Sequence, residues 1–336
     1  MPNLTDIMGE INAVGSGHDV IRRKYLLKLS DLTGRNTIIY YSGWLQKGFP
    51  GLMPHLIVND SDKNGFMAAI HQLDRTKGLD LVLHTPGGDT AATESLVHYL
   101  RQMFGTNMRA IIPQIAMSAG TMIALACKEI LLGKHSNLGP IDPQIGGMFP
   151  AHGIIEEFQR AADEISGAAT PQELQARIAL WQPIIAKYSP TLIGQCQKAI
   201  KMSTDITTDW LATGMFSGDA DAKQKALKIT EELGSHASSK THARHIHRER
   251  IEALGLKVVY IEADQNLQDT ILSLHHACIH TLTRTPAIKL IENQNGVGLI
   301  LSAQFQFQAG SPPAAALPIE GETMTAQLSP VIFTLN

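Results

Sequence analysis

"IAMSAGTMIALACKEILL", Ile115 to Leu132, places one hydroxyl, Ser118, directly ahead of Ala119 and Gly120 and then runs almost wholly apolar. The apolar run Ala110 to Pro113 before it reads as a strand, and the stretch from Ala119 reads as a buried helix. Ser118 therefore stands at a strand-to-helix transition. The first N–H groups of a helix lack intrahelical acceptors, and the helix dipole favours negative charge there. Taken alone, such a serine is more often an N-cap with close helix packing behind it than a nucleophile.

Working outward, the same rhythm repeats. "NTIIYYSGWL", Asn36 to Leu45, is rich in β-branched and aromatic residues and predicts a strand. "NGFMAAIHQLDR" puts Phe66, Ile70 and Leu73 on one helical face. "LDLVLHTPGG", Leu79 to Gly88, is an apolar strand ending in a Pro-Gly-Gly turn, as suits a sheet covered on both faces. "TESLVHYLRQMF" predicts an amphipathic helix, "MRAIIPQIAM" the next strand, and "EILLG" another. Strand–helix–strand repetition of this kind predicts an α/β fold with a predominantly parallel sheet.

After "SNLGPIDPQIGG" the texture becomes helical. "PQELQARIALWQPIIAKY", "DADAKQKALKITEELG" and "QNLQDTILSLHHACIHTL" are amphipathic, and "AIKLIENQNGVGLILS" predicts a small hairpin around Asn295-Gly296. The expected organisation is an N-terminal helical segment over 1–35 and a catalytic domain over 36–260 with a helical insertion at about 151–235. A C-terminal helix and hairpin over 261–305 and a loose tail over 306–336 complete it.

The 336-residue chain is 44% hydrophobic and 18% charged, which fits a globular protein with a sizeable core. A formal net charge of −3 offers no basic field for nucleic acid. Cys127, Cys196 and Cys278 are widely spaced and odd in number, as expected of buried thiols in a reducing compartment. The N-terminus lacks the pattern of a signal peptide, and Lys128 and Glu129 interrupt the longest apolar stretch, so no membrane span is expected. These features predict a cytoplasmic protein.

"TPGG", a helix, an apolar strand and then "MSAGT" together resemble the Clp-protease and crotonase-like superfamily. The nearer resemblance is to the serine dehydrogenase proteinase (SDH) family of Clp-fold serine proteases. It is carried by "LDLVLHTPGGDTAATES", "RAIIPQIAMSAGTMIALACKEI", "GKHSNLGPIDPQIGG" and, less firmly, "KTHARHI" followed by "ALGLKV". It spans Lys77 to Phe149 and weakens towards Asn295. The resemblance implies a Clp/crotonase-like spiral of βαβ units and a serine endopeptidase without a cofactor. It implies Ser118 as nucleophile and N–H groups of Gly87 or Gly88 and of Ala119 as the oxyanion hole, leaving the choice between the glycines open. It further implies a Ser, Asp, His triad in that chain order, with Asp142 of "LGPIDPQ" and His242 of "KTHARHI". His245 is the second candidate for the base among His236, His242, His245 and His247.

Other readings stay open at this level. Superfamily relatives pair serine with lysine, for which Lys134, Lys187 and Lys198 come into question. A metal site in the histidine cluster lacks nearby cysteines and any His-Glu-x-x-His pattern. A crotonase-like acyl-CoA enzyme would use the glycine turn without a serine nucleophile, and a non-catalytic scaffold would use neither. Expected partners are a peptide or protein substrate and further copies of the chain. No Gly-x-x-x-x-Gly-Lys-Ser/Thr loop is present, so any unfoldase would be a separate chain.

Overall fold

The computed structural model describes residues 4–14, 18–306 and 325–333. In chain order, helices α1 (Leu4–Val14) and α2 (His18–Thr33) lead into strand β1 (Asn36–Ser42). The short helix α3 (Met53–Leu56) and α4 (Asp62–Ile70) connect to β2 (Leu79–His84), and α5 (Thr90–Phe104) leads to β3 (Met108–Ile112). The two-residue strand β4 (Ile115–Ala116), helix α6 (Ala119–Leu125) and β5 (Glu129–Leu132) follow. Strands β1, β2, β3 and β5 lie side by side and parallel. The predicted "MRAIIPQIAM" strand is thus two strands, broken after Ile112.

Short strands β6 (Asn137–Leu138), β7 (Gln144–Ile145) and β8 (Phe149–Pro150) come next, then four helices. These are α7 (Ala151–Ser166), α8 (Pro171–Ile185), α9 (Leu192–Thr213) and α10 (Ala222–Gly234), where the helical insertion is predicted. A single turn, α11 (His236–Ser239), precedes β9 (Ile246–His247), α12 (Arg248–Ala253) and β10 (Val258–Tyr260). The long α13 (Gln265–Arg284) then leads to β11 (Ala287–Asn293) and β12 (Gly298–Gln306), the hairpin predicted around Asn295-Gly296. Of the predicted loose tail, 307–324 and 334–336 lie outside the described residues. Thr325–Phe333 instead forms β13, antiparallel to β12.

The eight-stranded sheet runs β10-β5-β3-β2-β1-β11-β12-β13. Alternation along each strand separates two apolar layers. Ile38, Tyr40, Leu81, Leu83, Ala110 and Ile112 point to the face carrying α4, α5 and α6. Ile39, Tyr41, Val82 and Ile111 point to the face covered by α2 and α13 through Leu26, Leu29, Leu274 and Leu282. All seven residues of β1 and all six of β2 are buried, which is why these strands read as continuous apolar runs. The three cysteines are buried and free, and burial pushes the Cys127 thiol up to about 12.

His84 closes β2 on the α13 side, fully buried, with the Tyr41 ring centroid 5.2 Å away and that of Trp44 4.5 Å away. Among the described residues neither ring nitrogen has a hydrogen-bond partner, and burial pushes its pKa from 6.5 down to about 3. Below pH 6.5 the unfolded chain binds a proton that the folded one refuses. The contribution of neutral His84 is therefore present above that pH and lost as pH falls towards 3, by up to about 1.4 kcal/mol per pH unit. His84→Phe keeps the ring packing and removes the proton. Urea unfolding between pH 6 and pH 4 is expected to show a slope shallower by up to that amount, and an unchanged slope would contradict this assignment. Burial lowers neighbouring His275 in the same direction, so part of the acid sensitivity persists in the variant.

Candidate active site

The sheet edge at the carboxyl ends of β2 and β3 is where Ser118 and the glycine pair meet. Past His84, the β2 chain continues beside β4: Thr85 N–H donates to the Ile115 carbonyl at 3.3 Å, and Met117 N–H to the Thr85 carbonyl at 3.0 Å. "TPGG" is thereby laid against "AMSA". Met117 then opens a tight turn in which Gly120 N–H donates back to the Met117 carbonyl at 2.7 Å. Ser118 occupies the second position of that turn with φ 49° and ψ −116°. This is the type II′ geometry, which glycine adopts freely and other residues adopt at a cost of about 1–3 kcal/mol. The Ser118 side chain makes no capping bond to the helix it precedes, so the N-cap role does not account for the hydroxyl. It is half-buried at the mouth of α6.

The glycine pair shows a division of labour. Gly87 has φ +97°, and a Cβ there would lie 2.6 Å from Ser118 Cβ and 2.9 Å from Ala119 N. Its own N–H donates to Thr85 Oγ1 at 3.2 Å. Its carbonyl accepts from Val58 N–H at 2.8 Å, while Asp89 N–H donates to the Val58 carbonyl at 2.9 Å. Within the Gly87–Gly88 peptide the C=O and N–H point in opposite directions, because the bond is trans. Pinning the Gly87 carbonyl to Val58 therefore turns Gly88 N–H away from Val58. Among the described residues, neither Gly88 N–H nor Ala119 N–H has a hydrogen-bond acceptor.

Asp142 and His242 are joined by strand register. Antiparallel β6 and β9 pair Asn137 with His247 and Leu138 with Ile246. The same register carried four residues further sets residue 242 opposite residue 142. There His242 Nδ1 lies 2.7 Å from Asp142 Oδ1. Asp142 is almost fully buried, and its other oxygen accepts from Gln144 Nε2 at 2.9 Å. His236 Nδ1 stands 3.6 Å from that same oxygen. The backbone leading into Asp142 is tied down by Ile141 N–H to the Leu233 carbonyl and by Ser203 Oγ to the Ile141 carbonyl. Thr121, one turn beyond Ser118, couples the two halves. Its Oγ1 lies 2.9 Å from the Ala116 carbonyl and 3.0 Å from the Gly139 carbonyl, and it accepts from Gly139 N–H at 3.0 Å.

The structure thus brings Ser118, Gly87, Gly88 and Ala119 together, and separately joins Asp142 to His242. Among the described residues, no hydrogen bond ties Ser118 Oγ to His242, whose Nε2 is left without a partner. His245 faces a different cavity, walled by Glu232, Arg244, His247 and Arg250. Lys134, Lys187 and Lys198 are exposed, so none has the desolvation that a lysine base requires. Among the described residues no cluster of histidine, cysteine and carboxylate groups is arranged to hold a metal ion. Sequence reading missed Val58, Thr121, Gln144 and the proximity of His236 to Asp142. Thr121 lies inside the quoted "SAGT", but nothing in a sequence tells a bridging threonine from one packed in a helix.

A unidirectional run of parallel strands, with a serine elbow beside a glycine turn at its carboxyl edge, defines a ClpP-like α/β protein. Residues 18–171 match the family described as ClpP-like SDH-type serine proteinase. This stretch contains Ser118, the glycine pair and Asp142, and ends before His242. Two uncharacterised proteins of Methanocaldococcus jannaschii are similar to it. One is 30% identical over 188 residues, covering 56% of this chain and 56% of that protein. The other is 33% identical over 144 residues, covering 43% of this chain and 50% of that protein. The chain spans about half the length of these curated relatives. No described helix is long and apolar enough to cross a membrane.

Proposed function

We propose that the chain is a serine peptidase that cleaves peptide bonds through an acyl-enzyme on Ser118. The observation that carries this reading is the strained elbow: a serine in a glycine-favouring turn, its hydroxyl unbonded, beside two unclaimed backbone N–H groups. Strain of this kind persists where the surrounding structure over-determines it, and it clusters at functional sites.

In the proposed sequence, Ser118 Oγ attacks the substrate carbonyl carbon while His242 Nε2 takes the hydroxyl proton. The carbonyl π electrons move to oxygen, and Gly88 and Ala119 N–H groups hold the oxyanion. Collapse breaks the C–N bond, and His242 returns the proton to the leaving amine. Water then repeats the cycle on the ester and frees Ser118. Asp142, acceptor of the His242 Nδ1 proton, sets the tautomer that leaves Nε2 as the base. A turn of the imidazole or the binding of substrate closes the remaining gap to Ser118, since catalytic hydrogen bonds tighten in the substrate complex. On this reading the partners are a peptide substrate, further copies of the chain and, for folded substrates, a separate unfoldase.

The test is labelling with a fluorophosphonate followed by peptide mass spectrometry, alongside hydrolysis of a fluorogenic peptide library. The adduct is expected on Ser118. An adduct elsewhere, or none under conditions where peptides are cleaved, would overturn the assignment.

A further inference from the structure

A buried ion pair lies directly behind the glycine turn, and the proposed chemistry does not use it. Lys289, on β11, and Asp62, at the start of α4, are both about 2% exposed. Lys289 Nζ lies 2.7 Å from Asp62 Oδ1 and donates to the Ile57 carbonyl at 2.8 Å. Asp62 Oδ2 accepts from the Tyr40 hydroxyl at 2.7 Å and from the Asn59 backbone N–H at 3.0 Å. The pair thus grips the residues on both sides of Val58. Val58 in turn holds the Gly87 carbonyl and the Asp89 N–H, and a Cβ at Gly88 would overlap its backbone.

We infer that Lys289 and Asp62 are positioning residues for the oxyanion hole, a role that rests on the peptidase reading above. Through Ile57, Val58 and Asn59 they fix the plane of the Gly87–Gly88 peptide, so that Gly88 N–H faces the Ser118 side. Two facts favour this over simple stabilisation. Besides the Tyr40 hydroxyl, the hydrogen bonds of both charged groups converge on one three-residue backbone segment. A buried ion pair is also a poor source of stability, because desolvating both charges offsets most of their attraction, and apolar replacement is often neutral or stabilising. An apolar group of the right size could fill this space, but it could not hold the Ile57 carbonyl and the Asn59 N–H.

The difference between the two roles gives the test. The double variant Asp62→Leu/Lys289→Met removes both charges together, so neither is left buried without its counter-ion, and Tyr40→Phe removes one donor to Asp62 with little change in volume. In the double variant kcat for a fluorogenic peptide is expected to fall on the order of 10- to 100-fold with KM within about twofold. The inhibition constant of a matching peptide boronate, whose tetrahedral adduct needs the oxyanion hole, should rise by the same factor. Tyr40→Phe should move both in the same direction by a smaller factor. Amide hydrogen exchange at Val58 and Asp89 should quicken about tenfold or more in the double variant while the α6 amides stay protected. A folded double variant with kcat, boronate affinity and exchange like the wild type would overturn the inference, as would parallel losses across every amide. If the wild type shows no Ser118-dependent turnover, the peptidase reading fails, and exchange at Val58 and Asp89 alone decides whether the pair pins the turn.

Discussion

Ser118→Ala is expected to lower kcat for peptide hydrolysis by on the order of 10⁴- to 10⁶-fold and to abolish fluorophosphonate labelling. A nucleophile and its base act as a unit, so removing the nucleophile alone forfeits nearly everything the pair contributes. What remains is the oxyanion hole acting on bound substrate and water. Ser118→Gly should be equally inactive, but its stability should move the other way. With φ at 49° and ψ at −116°, Ser118 sits where glycine carries no steric penalty. Relief of strain of about 1–3 kcal/mol is opposed by the greater chain entropy of unfolded glycine, about 0.4–1 kcal/mol. A net gain of about 1 kcal/mol is expected in urea unfolding. A destabilised Ser118→Gly would show that the backbone here is not strained, and peptide turnover surviving in both variants would remove Ser118 from the chemistry.

Asp142→Asn is expected to cost on the order of 10³- to 10⁴-fold in kcat, with little change in KM. His242 Nδ1 lies 2.7 Å from Asp142 Oδ1, and in the proposed mechanism the carboxylate accepts the Nδ1 proton so that Nε2 serves as the base. An amide that presents its NH₂ to Nδ1 stabilises the opposite tautomer, with the proton on Nε2. Asn is close in size, and the Gln144, Ile141 and Ser203 contacts hold the backbone, so the fold is expected to survive. His236→Gln is the internal control. His236 lies 3.6 Å from the other carboxylate oxygen and so should matter far less than the His242 contact. A loss in His236→Gln that matches the loss in Asp142→Asn would transfer the base assignment from His242 to His236. Activity in Asp142→Asn within tenfold of wild type would remove Asp142 from the triad.

Much of the fold was legible because it is written in local patterns. Strands buried on both faces read as apolar runs, as β1 and β2 do, and the helices between them show apolar stripes at helical spacing. The Asn295-Gly296 turn announces its hairpin in two residues. Two departures have physical causes. Pro113 supplies no N–H to a ladder, and the strand predicted through it ends at Ile112, letting β4 leave the main sheet to form another. From sequence Thr325–Phe333 reads as tail, because "PPAAALP" upstream of it signals no regular structure, yet those nine residues pair along the whole of β12.

The candidate site divides in the same way. "TPGG" and "MSAGT" are short and separated by one strand–helix step, so the sequence by itself determined that Ser118 and the glycine pair share one sheet edge. A parallel sheet places the carboxyl ends of neighbouring strands side by side. Only the tertiary structure decided which glycine leaves its N–H free, because that depends on Val58 gripping the Gly87 carbonyl from 29 residues upstream. Only it brought His242 to 2.7 Å from Asp142, since residues 142 and 242 meet through the register of two-residue strands that carry no readable pattern. The buried Lys289–Asp62 pair spans 227 residues of chain and has no sequence signature at all. Local periodicity reports which face of an element is buried. Which distant groups share a hydrogen bond is settled by packing, and that is where the chemistry of this site is aimed.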